Sequence, residues 1–193
     1  MKRRQDRWIL VCSMLLLVGC GNAVPHEDTI AVDKRGQITC TVVEDFDKDF
    51  YDAEELKEVI DEELASYNES FAQDHLTLKK FEVKDGIALL QTRFEKARYY
   101  ADYTGLTFFV GTVAQAQAEG YDLSGECMDT TGSLTDLESI EGSGELQVLI
   151  LEEAVEVKVP GKIVCASRAG DVVITGKKEA VVQDAREAFI VYR

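Results

Sequence analysis

Few side-chain types here are suited to chemistry: two histidines, five cysteines, and 36 aspartates and glutamates set against 21 lysines and arginines. The histidines are His26 and His75. No His-Glu-x-x-His pair occurs, which excludes the zinc protease built from two imidazoles one helical turn apart. Neither Ser-x-x-Lys nor Gly-x-Ser-x-Gly is present, so the acylating serine of the penicillin-binding type and the nucleophile elbow are both missing. A Cys-His pair would have to recruit His75, which follows Gln73-Asp74 and precedes a strand pattern, and so reads as a solvent-facing turn residue. There is no phosphate-cradling glycine loop and no dinucleotide fingerprint. Glycosidases need two carboxyl groups about 5 to 9 Å apart, and an acidic chain supplies such pairs by accident. No catalytic residue and no cofactor is therefore assigned.

One metal candidate exists. Asp45, Asp47 and Asp49 alternate as in the opening of an EF-hand loop, but the sixth position is Phe50 where the turn needs glycine, and the twelfth is Leu56 where a bidentate glutamate is needed. A solvated strand-to-helix connection is the favoured reading. Beyond the N-terminal segment the cysteines are Cys40, Cys127 and Cys165, which allow at most one internal bridge. Cys40 and Cys165 sit in apolar strand patterns and are expected as buried thiols. Cys127 lies in a polar stretch and is the thiol expected to react. Tyr99, Tyr100, Tyr103, Phe108, Phe109 and Tyr121 fall close together. They are expected mainly in the core, the alternative being a platform for sugars or wall peptides.

The elements that position these groups follow from periodicity. A strand pattern begins at Ile38 and runs to about Glu44. Leu56, Val59, Ile60, Leu64 and Tyr67 share one face of a helix over 52–68, opened by Asp52 with Glu55 three residues on. Leu76 to Lys84 and Ile87 to Phe94 flank Asp85-Gly86, a hairpin turn, and the apolar phase slips near Lys79-Lys80, which predicts a bulge. A short helix over 96–103, a strand over 106–110 and a small helix over 112–119 follow. Residues 120–145 read as a long loop. After it the pattern is purely β, with a turn at Pro160-Gly161 whose glycine is expected at positive φ. The fold class is α+β: a mixed helix and strand half, then a strand-only half, mainly antiparallel. Residues 38–193 make one domain, preceded by a polar tether over 20–37.

The first nineteen residues are of another kind. Lys2, Arg3, Arg4 and Arg7 precede an eleven-residue apolar run, Trp8 to Val18, which is too short for the roughly 30 Å of a bilayer core. It ends in Leu17-Val18-Gly19-Cys20, which resembles the lipobox of bacterial lipoproteins. That resemblance implies a signal peptide over 1–19, removed on maturation, and a diacylglyceryl group on Cys20 that holds the protein on the extracytoplasmic face of the cell membrane. Losing four basic residues and one acidic residue takes the net charge from −15 to −18, which speaks against nucleic acid as a partner. The charge is uneven: no Lys or Arg separates Arg98 from Lys158, while twelve acids lie between Asp102 and Glu156.

The remaining chain resembles uncharacterised surface lipoproteins of Gram-positive bacteria, on Asp49-Phe50-Tyr51-Asp52, Gly120-Tyr121-Asp122 and Val159-Pro160-Gly161-Lys162-Ile163. The expected role is a non-enzymatic domain that binds an envelope protein or wall component. The alternatives are a small-molecule receptor serving a transporter or sensor and, third, a carboxylate-based hydrolase.

Overall fold

The computed structural model describes residues 27–193. Leu17, Val18, Gly19, Cys20 and His26 lie outside these residues, as does the segment 1–19 expected to be a signal peptide. Among the described residues the chain is α+β and mostly sheet. Its α-helices are α1 (Ala53–Asn68), α2 (Ala97–Thr104) and α3 (Val113–Ala118), and beyond them come only strands and single 3-10 turns. No helix among the described residues is long and apolar enough to cross a membrane.

The strands form two sheets. The first holds β1 (Thr29–Val32), β2 (Ile38–Asp45), β3 (Leu76–Lys84), β4 (Ile87–Phe94), β9 (Val155–Lys158), β11 (Val173–Ile174) and β12 (Glu179–Val182), in the order β11-β12-β9-β1-β2-β4-β3. The second holds β5 (Phe108–Thr112), β6 (Cys127–Asp129), β7 (Leu134–Thr135), β8 (Gln147–Leu151), β10 (Ile163–Ser167) and β13 (Ala188–Tyr192), in the order β5-β8-β13-β10-β6-β7. Every pairing is antiparallel except β1 with β9.

Burial explains the sequence patterns. In β8, Leu149 and Leu151 face a core shared with Ile30, Val157 and Phe94 of the first sheet, while Val148 and Ile150 face a second core with Val113 and Ala116 of α3. β13 divides likewise, Ile190 into the first core and Phe189 and Val191 into the second. A strand buried on both faces has no polar alternation to show, so these segments read as continuous apolar runs. α1 starts where Asp52 accepts from the amides of Glu54 and Glu55, satisfying two of the helix's unpaired donors, and buries Ile60 and Leu64 in the first core. Asp85 and Gly86, both at positive φ, turn the β3–β4 hairpin, and the register slips between Leu78 and Lys80.

Three expectations are corrected here. The polar tether does not extend to residue 37: Thr29–Val32 is a strand between β2 and β9, with Ile30 fully buried. The stretch 120–145 is not an open loop. It carries β6, β7 and 3-10 turns at Leu137–Ser139 and Ser143–Glu145, and it plugs Leu123, Cys127 and Leu137 into the second core. Gly161 is not at positive φ. Glycine is needed there because a Cβ would lie 2.1 Å from the Arg193 carbonyl oxygen.

Candidate functional site

An open groove of about 570 Å³ lies between the second half of α1, the 69–74 connection and the first residues of β3. Half-buried Phe71 and Leu78 give it apolar surface over the buried Leu64 and Leu76, and the exposed carboxylates of Asp61, Glu69 and Asp74 line it. Asp61 is already bonded to Lys57, one helical turn away, so Glu69 and Asp74 supply its uncompensated charge.

Asn68, the last residue of α1, fixes this corner. Its Oδ1 accepts from the amides of His75 (3.0 Å) and Leu76 (3.1 Å), and its Nδ2 donates to the Leu76 carbonyl at 2.7 Å. One side chain thus imitates a neighbouring strand for the first rung of β3, which is otherwise the edge of its sheet. Asn68→Ala leaves three main-chain groups without these partners and should cost about 2 kcal/mol. Urea unfolding of the variant beside wild type checks this, and an unchanged midpoint would mean that water replaces the side chain at no cost.

Behind the groove lies an aromatic wall. His75 is not a solvent-facing turn residue: its side chain is 11% exposed. Its Nδ1 meets Glu95 Oε2 at 2.8 Å, its ring stacks on Tyr99 at 4.0 Å, and its Nε2 lies 2.9 Å from the Tyr99 hydroxyl, which also accepts from Arg98 at 2.6 Å. Phe71 closes edge-on against both His75 and Tyr99. The carboxylate orients an imidazole as in an acid–base pair, but its other nitrogen faces a buried tyrosine rather than open space. The chain Glu95–His75–Tyr99–Arg98 therefore pins the 69–75 connection.

A second group of titratable residues, half-buried around the buried Tyr100, lies at the start of β1. Tyr100 Oη donates to Glu153 Oε2 at 2.6 Å, and the Cys40 thiol lies against the Tyr100 hydroxyl. Burial, then the charges of Glu153 and Asp28, pushes Cys40 up to about 12, so it stays a thiol. Burial also raises Glu153 and Asp28, although Asp28 accepts from the Val43 amide at 2.9 Å. Both carboxyls move the same way for the same reason, so they do not separate into an acid and a base.

Cys127 is not the accessible thiol that its polar surroundings suggest. It is fully buried, its Sγ donating to the Thr135 carbonyl at 3.3 Å, and it lies against Cys165, which burial holds protonated. All three described cysteines are unbridged. Asp45 ends β2, Asp47 pairs with Lys48 at 2.8 Å, and Leu56 packs against the first core. Among the described residues no three His, Cys, Asp or Glu side chains converge as a metal site. Of the aromatics, Tyr99, Tyr100 and Phe108 are buried, and Phe109 and Tyr121 pack against each other over the second core.

No protein-family model, no curated protein and no solved structure matches the chain. Its reading rests on its own residues. Sequence reasoning missed Asn68 and the groove. An asparagine at the end of a helical pattern, eight residues before a strand, was the available signal.

Proposed function

We propose that this chain is a lipoprotein precursor, lipidated on Cys20 and held on the extracytoplasmic face of the cell membrane, and that its folded part is a non-enzymatic binding domain for an envelope protein or wall component. The anchor rests on Leu17-Val18-Gly19-Cys20 behind a basic and then apolar leader. The binding role rests on one observation: the open, acid-lined groove at the edge of the first sheet. Its placement suits an anchored molecule. The chain enters β1 at the level of Thr41 and Val43, while the groove begins at the level of Ile38, reached through the rungs Ile38–Phe94–Leu76. It therefore lies towards the end of the sheet away from the tether.

The small-molecule receptor finds less support, because the aromatics that would line its pocket are committed to the cores. A hydrolase finds less still: burial pushes the Cys40 thiol up to about 12, and it raises the carboxyls of Asp28 and Glu153 in the same direction.

Replacing Cys20 by Ala tests the anchor. Wild type should take up labelled fatty acid and sediment with membranes. The variant should take up none and lose nearly all of its membrane association, since an apolar run of eleven residues is too short to span. Equal labelling of both proteins would end the lipoprotein reading.

A further inference from the structure

Hydrogen-bond alternation along β3 shows what the groove is shaped to take. In an antiparallel ladder, residues that exchange main-chain bonds alternate with residues whose amide and carbonyl point the other way. The Glu95 amide donates to the His75 carbonyl, which therefore faces β4 while the His75 amide turns to Asn68; alternation then directs Thr77, opposite Arg93, towards β4. Leu76 and Leu78 then point outward, away from β4. Leu76 meets Asn68, as its bonds show. Leu78 meets nothing: among the described residues no side chain and no further main-chain group bonds its outward amide and carbonyl. One rung is filled by a side chain posing as a strand, and the next is open inside the groove.

We propose that the groove binds a short, extended peptide segment bearing basic side chains, which adds to β3 by exchanging a pair of main-chain hydrogen bonds with Leu78. This deepens the binding-domain reading above and rests on it. Strand addition draws affinity from main-chain bonds and selectivity from the pockets beside them. Phe71 and Leu78, both half-buried, offer apolar surface to a side chain on the core side, and Glu69 and Asp74 select positive charge. The same features limit its length. The register shift directly after Leu78 breaks the flat edge, and Lys79 and Lys80 stand exposed beyond it, two devices that stop strands from adding further. The occupant is thus a few residues long and ends, or turns away, before the lysines. A second copy of this chain fits poorly at an acidic groove, given the excess of acids.

The test uses the full chain in detergent and three capped pentapeptides. One alternates lysine and valine, one has glutamate in place of lysine, and one is the lysine peptide N-methylated at its central residue. Amide hydrogen exchange is read residue by residue. The lysine peptide should slow exchange at Leu78 by about tenfold or more, because a newly bonded edge amide opens only with its partner. The glutamate peptide should bind more weakly, and the N-methylated peptide, with its charge intact and a main-chain donor gone, should lose the protection. Combining Glu69→Gln with Asp74→Asn, both exposed, should weaken the lysine peptide about fivefold, as two solvent-exposed ion pairs would. No protection at Leu78, or equal binding of the three peptides, overturns the proposal. Fatty-acid labelling at Cys20 is read on the same preparation. A labelled protein that ignores the peptides refutes the strand-addition site alone, while an unlabelled one refutes the anchor.

Discussion

A chain beginning at Ile38 will not fold, whereas one beginning at Glu27 will. The polar character of residues 21–37 gives no warning of this, since on sequence pattern the shorter chain keeps the whole domain. Structurally it loses β1, which joins β2 on one side to β9 on the other. Without it the first sheet falls into a piece with β2, β3 and β4 and a piece with β9, β11 and β12. Ile30 and Val32, at 0% and 5% exposure, leave the core, and burial of each such side chain is worth about 1.5–3 kcal/mol. The two ladders of β1 vanish as well. Together these losses approach the roughly 5–15 kcal/mol that separates folded from unfolded domains. Circular dichroism and amide-proton dispersion of the two chains decide the matter. A cooperative thermal transition in the chain starting at Ile38 would show that the second sheet and α1 suffice.

Tyr100→Phe should destabilise the domain by about 2 kcal/mol at pH 7, close to the value for a buried hydrogen bond to a charged acceptor. Tyr100 is 2% exposed, and its hydroxyl is the donor to Glu153. Glu153→Gln should do the opposite at that pH. It keeps an acceptor for the hydroxyl and removes a carboxylate that burial makes unfavourable. The sign of the pH dependence follows. Glu153 and Asp28 are raised in the folded chain, so folding holds their protons, and stability falls as pH climbs through their raised values. Melting temperature should therefore rise as pH is lowered from 7 towards 5, and Glu153→Gln should flatten that rise. The carboxylates that shift the other way, Asp47, Glu82, Asp122 and Asp129, are surface groups held low by their own hydrogen bonds. Their stabilisation is lost only below the ordinary carboxyl range. Thermal melts of wild type and Glu153→Gln at pH 5 and pH 7 measure this. A wild type that melts lower at pH 5 would mean that the buried carboxyls are stabilised as anions.

Much of the fold was legible because its signals are local. Asp52 caps α1, and the short helices expected over 96–103 and 112–119 are α2 and α3. The slipped apolar phase between Leu78 and Phe81 is the bulge of β3. What escaped has no local signature. Thr29-Ile30-Ala31-Val32 is too short to show a period and takes its second partner from far along the chain. Cys127 and Leu137 are single buried residues in short elements, surrounded by polar neighbours that stay at the surface, so composition averaged their burial away. His75 has the flanks of a turn, and only the tertiary approach of Tyr99 and Glu95 buries it. The groove escaped for the same reason, since it depends on where α1 ends relative to the edge of a sheet.

The parallel pairing of β1 also dictates the order in which the molecule can assemble. Thr29 pairs with Glu156, 127 positions later. Contacts of that separation carry a large loop-closure cost before they return any stability, and chains rich in them fold slowly. A polypeptide emerging amino end first keeps one side of β1 bare until Lys158 has followed, and the first sheet cannot close before then. Among the described residues, no portion ending before β9 holds the complete first sheet. The topology leaves one edge of β1 to be shielded until the last third of the chain arrives.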